Sequence, residues 1–313
     1  MKILFTGKNY AQGLKHNDPT NYLGAAEALG HVSVQSLSEN PSVVVCVDYT
    51  RRSIRKVRQA RKRNIKTVLI CCEPSVVIPQ NNQARIEKLF DKHVGVGRVL
   101  GIPLKWPQTW RAVNTNKTRL DRAIMVNADK WSYVKGQLYW LRAALASSET
   151  RLDTAGHGWE QKTLRRLIHR TYELIRTLTS LTRPSLKGLS HILDLPINYI
   201  GTPDDKVNLM AKYKIALVIE NSQELITEKL FDAWFAGCIP VYVGPEVAPF
   251  GIPKGLVVSA KPTLMSVRFA IDEAMSLDHD RFIEELVGFL DSSNTLEWKS
   301  DKALQRIISY AVQ

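Results

Sequence analysis

The chain has 313 residues, 44% of them hydrophobic and 23% charged, with a formal net charge of +13. That length exceeds one compact core, and the composition excludes a disordered or fibrous chain, so two domains of about 150 residues are expected. No run of about 18 apolar residues occurs, and "MKILFTGKNY" reads as a strand rather than a signal peptide, which excludes a spanning helix and predicts a cytoplasmic chain.

The charge is unevenly placed. Residues 1–200 carry 32 basic and 14 acidic side chains, a balance of +18, whereas residues 201–313 carry 11 and 16, a balance of −5. The first part therefore suits an acidic partner: an anionic membrane surface, an anionic glycan or nucleic acid. Cys46, Cys71, Cys72 and Cys238 all fall in apolar, strand-like runs without metal-ligand spacing, so buried reduced thiols are expected.

In chain order, "KILFT" (2–6), "HVSVQS" (31–36), "SVVVCV" (42–47), "KTVLICC" (66–72) and "HVGVG" (93–97) read as strands. Their apolar runs are continuous, as in a parallel sheet covered on both faces. The stretch "RRSIRKVRQARKR" (51–63) holds eight Lys/Arg and no acid. Ile54, Val57 and Ala60 at spacing three predict a helix that covers the sheet and presents a solvated basic face. Nucleic-acid binding is not expected, because neither stacking aromatics nor a base-reading set of Asn, Gln and Arg accompanies the charges.

"AIMVN" (123–127) reads as a strand leading into "YVKGQLYWLRAALA", an amphipathic helix. A basic helical connector follows at about 161–188, with apolar residues at 164, 167, 168, 172, 175 and 178 and Arg165, Arg166, Arg170 and Arg176 on or beside the other face. Two readings apply to it: a helix packed on one domain with a solvated basic face, or interfacial membrane contact. "KIALVIE" (214–220), helix "TEKLFDAWFAG", "IPVYVG" (239–244) and "GLVVS" (255–259) repeat the strand–helix logic, and Gly237 closes its helix. Helices are expected around 262–275, 280–291 and 298–311. The expected architecture is α/β, with two Rossmann-like domains, 1–130 and 131–313, whose parallel sheets face each other across a cleft.

In such sheets ligands bind beyond the carboxyl ends of strands. Asn221 and Ser222 follow "KIALVIE", and Thr227 caps the helix that begins with Glu228 and Lys229. Free N–H groups and Lys229 suit a diphosphate, and Glu228 suits paired ribose hydroxyls. A plain helix start with a solvated lysine is the structural alternative for Thr227–Lys229 taken alone.

The whole stretch "YKIALVIENSQELITEKLFDAWFAGCIPVYVGP" (213–245) resembles the donor-binding motif of the alpha-1,3-fucosyltransferases, glycosyltransferase family 10. The match runs without a gap through Tyr213, Lys214, Glu220, Asn221, Ser222, Thr227, Glu228, Lys229, Gly237, Pro240, Val241, Gly244 and Pro245. Leu225, Ile226 and Ile219 stand where that family has aromatic residues. The resemblance implies a GT-B fold with an N-terminal acceptor domain and a C-terminal GDP-sugar domain. It implies inverting transfer of L-fucose from GDP-fucose to an acceptor glycan hydroxyl, with no metal or other cofactor.

By the same resemblance Asn221, Glu228 and Lys229, with Ser222 and Thr227, hold the nucleotide sugar. Arg142 fits the family's phosphate-binding arginine, with Lys135 as a competitor for that role and a surface position as the plain alternative. Glu73 in "CCEPS", at the carboxyl end of its strand, resembles the family's Glu-Ser-Pro segment and would be the catalytic base, a Glu that merely ends a strand being the alternative. His157 between two glycines reads as a loop residue, and Gly95 and Gly97 resemble a turn near the acceptor. Rival functions are a GT-B transferase for another nucleotide sugar and a non-catalytic basic binding protein.

Overall fold

The computed structural model describes residues 1–8, 21–95, 105, 107–160 and 163–313, without the side chains of residues 82 and 300. Gly97 and residues 161–162 of the connector lie outside that set. The chain divides into two units, Met1–Trp110 with Thr295–Gln313, and Arg111–Asn294.

The first unit contains β1 (Lys2–Gly7), α1 (Tyr22–Ala28), β2 (Val32–Val34), β3 (Val43–Val47), α2 (Arg51–Lys62), β4 (Lys66–Cys71), α3 (Ala84–Glu87) and β5 (Lys92–Gly95). Its five strands form a parallel sheet in the order β2-β1-β3-β4-β5. Alternate side chains separate the two faces. Ile3, Phe5, Val43, Val45, Val68 and Ile70 pack on one side with Tyr22 and Ala26. Leu4, Val44, Cys46, Leu69 and Cys71 pack on the other with Ile54, Val57 and Ala60 of α2, the apolar residues anticipated for that helix. All four cysteines are free and buried.

The second unit contains β6 (Leu120–Val126), α4 (Tyr139–Ala146), β7 (Leu152–Ala155), α5 (Thr163–Thr179), α6 (Lys206–Met210), β8 (Tyr213–Ile219), α7 (Glu228–Phe235), β9 (Ile239–Val243), β10 (Val258–Ser259), α8 (Leu264–Ser276) and α9 (His279–Asp291). Its sheet is also parallel, in the order β10-β9-β8-β6-β7. Gly237, at φ 69°, ends α7; a Cβ there would lie 2.1 Å from the Asn114 carbonyl oxygen, so only glycine fits the turn.

The division differs from the expected 1–130 and 131–313 in two places. Strand β6 pairs with β7 and β8, which carries the boundary back to residue 110. The last helix, α10 (Ser300–Val312), returns to the first unit because Leu304, Ile307, Ile308 and Ala311 cover the sheet face shared with Tyr22 and Val94. Sequence order does not reveal such a return.

Two helices also depart from expectation. The stretch anticipated as one amphipathic helix narrows to the eight residues of α4, all of them buried, so it has no solvent face. Helix α5 is inverted relative to the solvated-basic-face reading. Arg166 and Arg170 are 1% and 2% exposed, whereas Leu164, Ile168, Tyr172 and Ile175 are 70%, 62%, 62% and 54% exposed. Among the described residues no helix is long and apolar enough to cross a membrane.

Candidate functional site

Strands β6, β7, β8 and β9 are parallel neighbours, so their carboxyl ends deliver Asn127, Gly156, Glu220 and Gly244 to one edge of the second sheet. The most ordered chemistry there is built around Glu220. Its backbone N–H still pairs with the Val243 carbonyl at 2.9 Å, and its carboxylate is fully buried. One carboxylate oxygen accepts the Thr227 N–H at 2.8 Å and the other accepts the Thr227 hydroxyl at 2.6 Å. The Lys229 ammonium stands 3.7 Å from that second oxygen.

Glu220 therefore latches the loop 221–227 back onto the strand it leaves, and so fixes where α7 begins. Burial raises its pKa, against the pull of Lys229 and the two Thr227 hydrogen bonds. Gly244 permits the packing: a Cβ at that position would lie 2.3 Å from the Tyr242 hydroxyl and 2.9 Å from Glu220 Cγ. The Tyr242 hydroxyl itself is buried without a hydrogen-bond partner among the described residues.

Thr227 caps α7, its hydroxyl accepting from the Lys229 N–H at 3.4 Å and from Lys229 Nζ at 2.9 Å. Glu228 projects from the first turn with its side chain half exposed, 3.4 Å from Lys229 Nζ. Partial burial would raise its pKa, but Lys229, Lys206 and the backbone N–H at the helix start outweigh it and hold the carboxyl down at about 2. Its exposure means that solvent screens part of this effect. Glu228 is therefore an anion at neutral pH, available to hydroxyl donors.

Arg142 approaches from α4. It is buried, and its Nε donates to the Ile219 carbonyl at 3.2 Å while Nη2 donates to that carbonyl and to Asn221 Oδ1, the latter at 3.0 Å. Its guanidinium lies 4.9 Å from the Tyr139 ring centre. Burial lowers its pKa, opposed by Tyr139, Glu220 and Glu228. The bonds to Ile219 and Asn221 are made by Nε and Nη2, so they leave the Nη1 arm of the guanidinium unused.

The structure thus brings Arg142, Asn221, Thr227, Glu228 and Lys229 into one contiguous network. Ser222 is buried beside it and accepts the Glu224 N–H at 3.4 Å. Lys135 is not part of that network: it is exposed in the turn before α4. Glu73 belongs to the first unit, just past β4, where Asp48 organises the backbone by accepting the Cys72 and Glu73 N–H groups at 2.8 and 3.1 Å and Asn81 Nδ2 at 2.7 Å. His157 is exposed, and its carbonyl accepts the Asp129 N–H at 2.8 Å. Among the described residues no group of three or more His, Cys, Asp or Glu is placed to hold a metal ion.

Several motif residues serve the opposite end of the same strand. The Tyr213 hydroxyl donates to Asp153 at 2.9 Å, and Lys214 Nζ donates to the Met275 carbonyl at 2.6 Å. Sequence reading passed over the internal role of Glu220 and missed Asp129 altogether. The signal for Glu220 was available, a carboxylate ending a wholly apolar strand; Asp129 carried none.

No protein-family model and no curated protein matches the chain. Among solved structures it is similar to an alpha1,3-fucosyltransferase, also determined with GDP and with GDP-fucose, at 14% identity and a TM-score of 0.53, covering 99% of this chain and 88% of that one. It is similar to Anabaena Alr3699/HepE in complex with UDP-glucose, at 13% identity and a TM-score of 0.56, covering 99% of both chains. It is similar also to a trehalose-6-phosphate synthase studied for glycosyltransfer with retention, at 12% identity and a TM-score of 0.51, covering 94% of this chain and 77% of that one. With two parallel five-stranded sheets flanked by helices, the chain has the GT-B fold of these glycosyltransferases.

Proposed function

We propose that the chain is a glycosyltransferase that binds a nucleotide sugar at the carboxyl edge of its second sheet, with GDP-fucose as donor and a glycan hydroxyl as acceptor. The observation that carries this reading is the Glu220 latch. A buried carboxylate sets Thr227, so that the α7 start, the Lys229 ammonium and the Asn221–Arg142 pair converge on one edge. Lys229 and the Arg142 guanidinium would neutralise the leaving diphosphate, a task that otherwise falls to a metal ion. Glu228 would accept from ribose or sugar hydroxyls, while Ser222 and Thr227 shape the loop.

Inversion at the anomeric carbon requires a base to take the acceptor proton, and Glu73 is assigned that role. Its backbone anchorage on Asp48 supports the assignment, because a base must be held in place to act. Glu73→Gln is expected to lower turnover by about 10²–10⁴ while leaving nucleotide binding intact. A second reading, a different nucleotide sugar, is favoured by Leu225 and Ile226, which stand where the resembled motif has aromatic residues.

Thermal unfolding with GDP, GDP-fucose, GDP-mannose, UDP and UDP-glucose tests the donor, since a ligand at 100 times its Kd stabilises by about 2.7 kcal/mol. The largest upward shift is expected with GDP-fucose. A larger shift with a UDP-sugar contradicts the donor assignment. Transfer to a panel of acceptor oligosaccharides then identifies the acceptor.

A further inference from the structure

Helix α5 is held to its unit by charge rather than by apolar packing. Arg166 Nε donates to Asp129 Oδ2 at 2.7 Å, and its two Nη atoms donate to the Leu193 and Asp194 carbonyls at 2.7 Å each. Arg170 pairs with the other Asp129 oxygen and lies 5.4 Å from the Trp131 ring centre. Glu173 and Thr177 complete the buried face. The opposite face carries Leu164, Leu167, Ile168, Tyr172, Ile175 and Leu178, all exposed, in the i, i+3, i+4 pattern of one continuous stripe. Exposed Leu181, Leu186 and Leu189 extend it past the helix end. A soluble surface does not ordinarily leave such a stripe bare.

The charges around the stripe select its occupant. Arg165, His169 and Arg176 follow one another along one rim of the helix, and Arg183 and Lys187 are exposed beyond its end. From residue 163 to residue 190 the one acid is Glu173, and its carboxylate is held by Arg176 at 2.7 Å. A two-fold contact with a second copy would set this cationic rim against itself with no carboxylate to answer it. A surface of anionic lipid answers both features, because acyl chains accept the stripe while phosphates accept the arginines.

We infer that the exposed face of α5, with Arg165, Arg183 and Lys187, docks the protein on an anionic lipid bilayer. The helix lies in the plane of the interface rather than across it, at the end of the Asp129 anchor.

Flotation of the intact chain with vesicles of phosphatidylcholine alone, and of phosphatidylcholine with phosphatidylglycerol, tests this. Binding is expected to be at least about tenfold stronger to the anionic vesicles, to weaken with salt, and to fall at least about tenfold in the L164S/I168S/I175S variant. Arg165→Glu is expected to weaken it as well. Because the three replaced side chains point away from the unit, the thermal midpoint should be unchanged; if it falls, Ile168→Ser and Arg165→Glu decide. Failure of the wild type to float, or equal flotation of the stripe variants, overturns the inference. So does a dimer without lipid, by light scattering, that the triple substitution turns into a monomer, because the stripe would then belong to a second copy.

Discussion

Helices α2 and α5 look alike as sequence and are opposites as structure. Both are rich in arginine, and both have apolar residues on one stripe. In α2 the stripe faces in: Ile54, Val57 and Ala60 are buried, and Arg55 and Arg58 point to solvent. In α5 Arg166 and Arg170 face in and the stripe faces out. Periodicity establishes that a helix has two faces; which one is inside depends on what the rest of the chain offers. The first sheet offers α2 an apolar face of Leu4, Val44, Cys46 and Leu69. The loop after β6 offers α5 a buried carboxylate, Asp129, together with the carbonyls of residues 192–194.

The largest test of this contrast removes the carboxylate. Asp129→Ala leaves two buried guanidinium groups without a counter-charge and is expected to destabilise the second unit by about 3–5 kcal/mol, read by denaturant unfolding. The contrast fails if the loss is as small as for a surface residue. Next in size is a matched pair. Ile54→Ala should cost about 2–5 kcal/mol through a lost core side chain, whereas Ile168→Ala should stay within about 0.5 kcal/mol. The arginines should reverse the order, with Arg58→Ala nearly neutral and Arg166→Ala strongly destabilising. Equal losses within either pair would mean that both helices face the same way.

The smallest effect concerns the start of α7, where a carboxylate is exposed yet held in its charged form. The Glu228 pKa is lowered from 4.5 to about 2, so its ionised form contributes stability that is complete above pH 4.5 and is lost as the pH falls toward 2. Glu228→Gln should flatten acid unfolding in that window. An unchanged acid transition would show that solvent screening cancels the lysine field.

The fold was legible because continuous β-branched runs such as "SVVVCV" and "KIALVIE" can be satisfied only inside a covered parallel sheet. The return of α10 to the first unit was not, since no local pattern says which sheet Leu304 and Ile307 will meet. At the site, Asn221, Thr227, Glu228 and Lys229 were legible from a strand end and a capped helix start. The burial of Arg142 against the Ile219 carbonyl was not, because a helix position alone does not tell a surface arginine from one that braces a neighbouring strand. Glu220 read as part of a motif, and its work inside the loop emerged only with the distances to Thr227.

On the proposed function, a nucleoside diphosphate binds where α7 begins, beside Arg142, Asn221 and Lys229. Calorimetric titration of the wild type and of Lys229→Ala with GDP tests it most directly. Saturable one-to-one binding is expected, weakening by about tenfold or more when the charge-assisted phosphate contact is removed. Equal affinity in the two proteins, or no binding of any nucleoside diphosphate to the wild type, would contradict it.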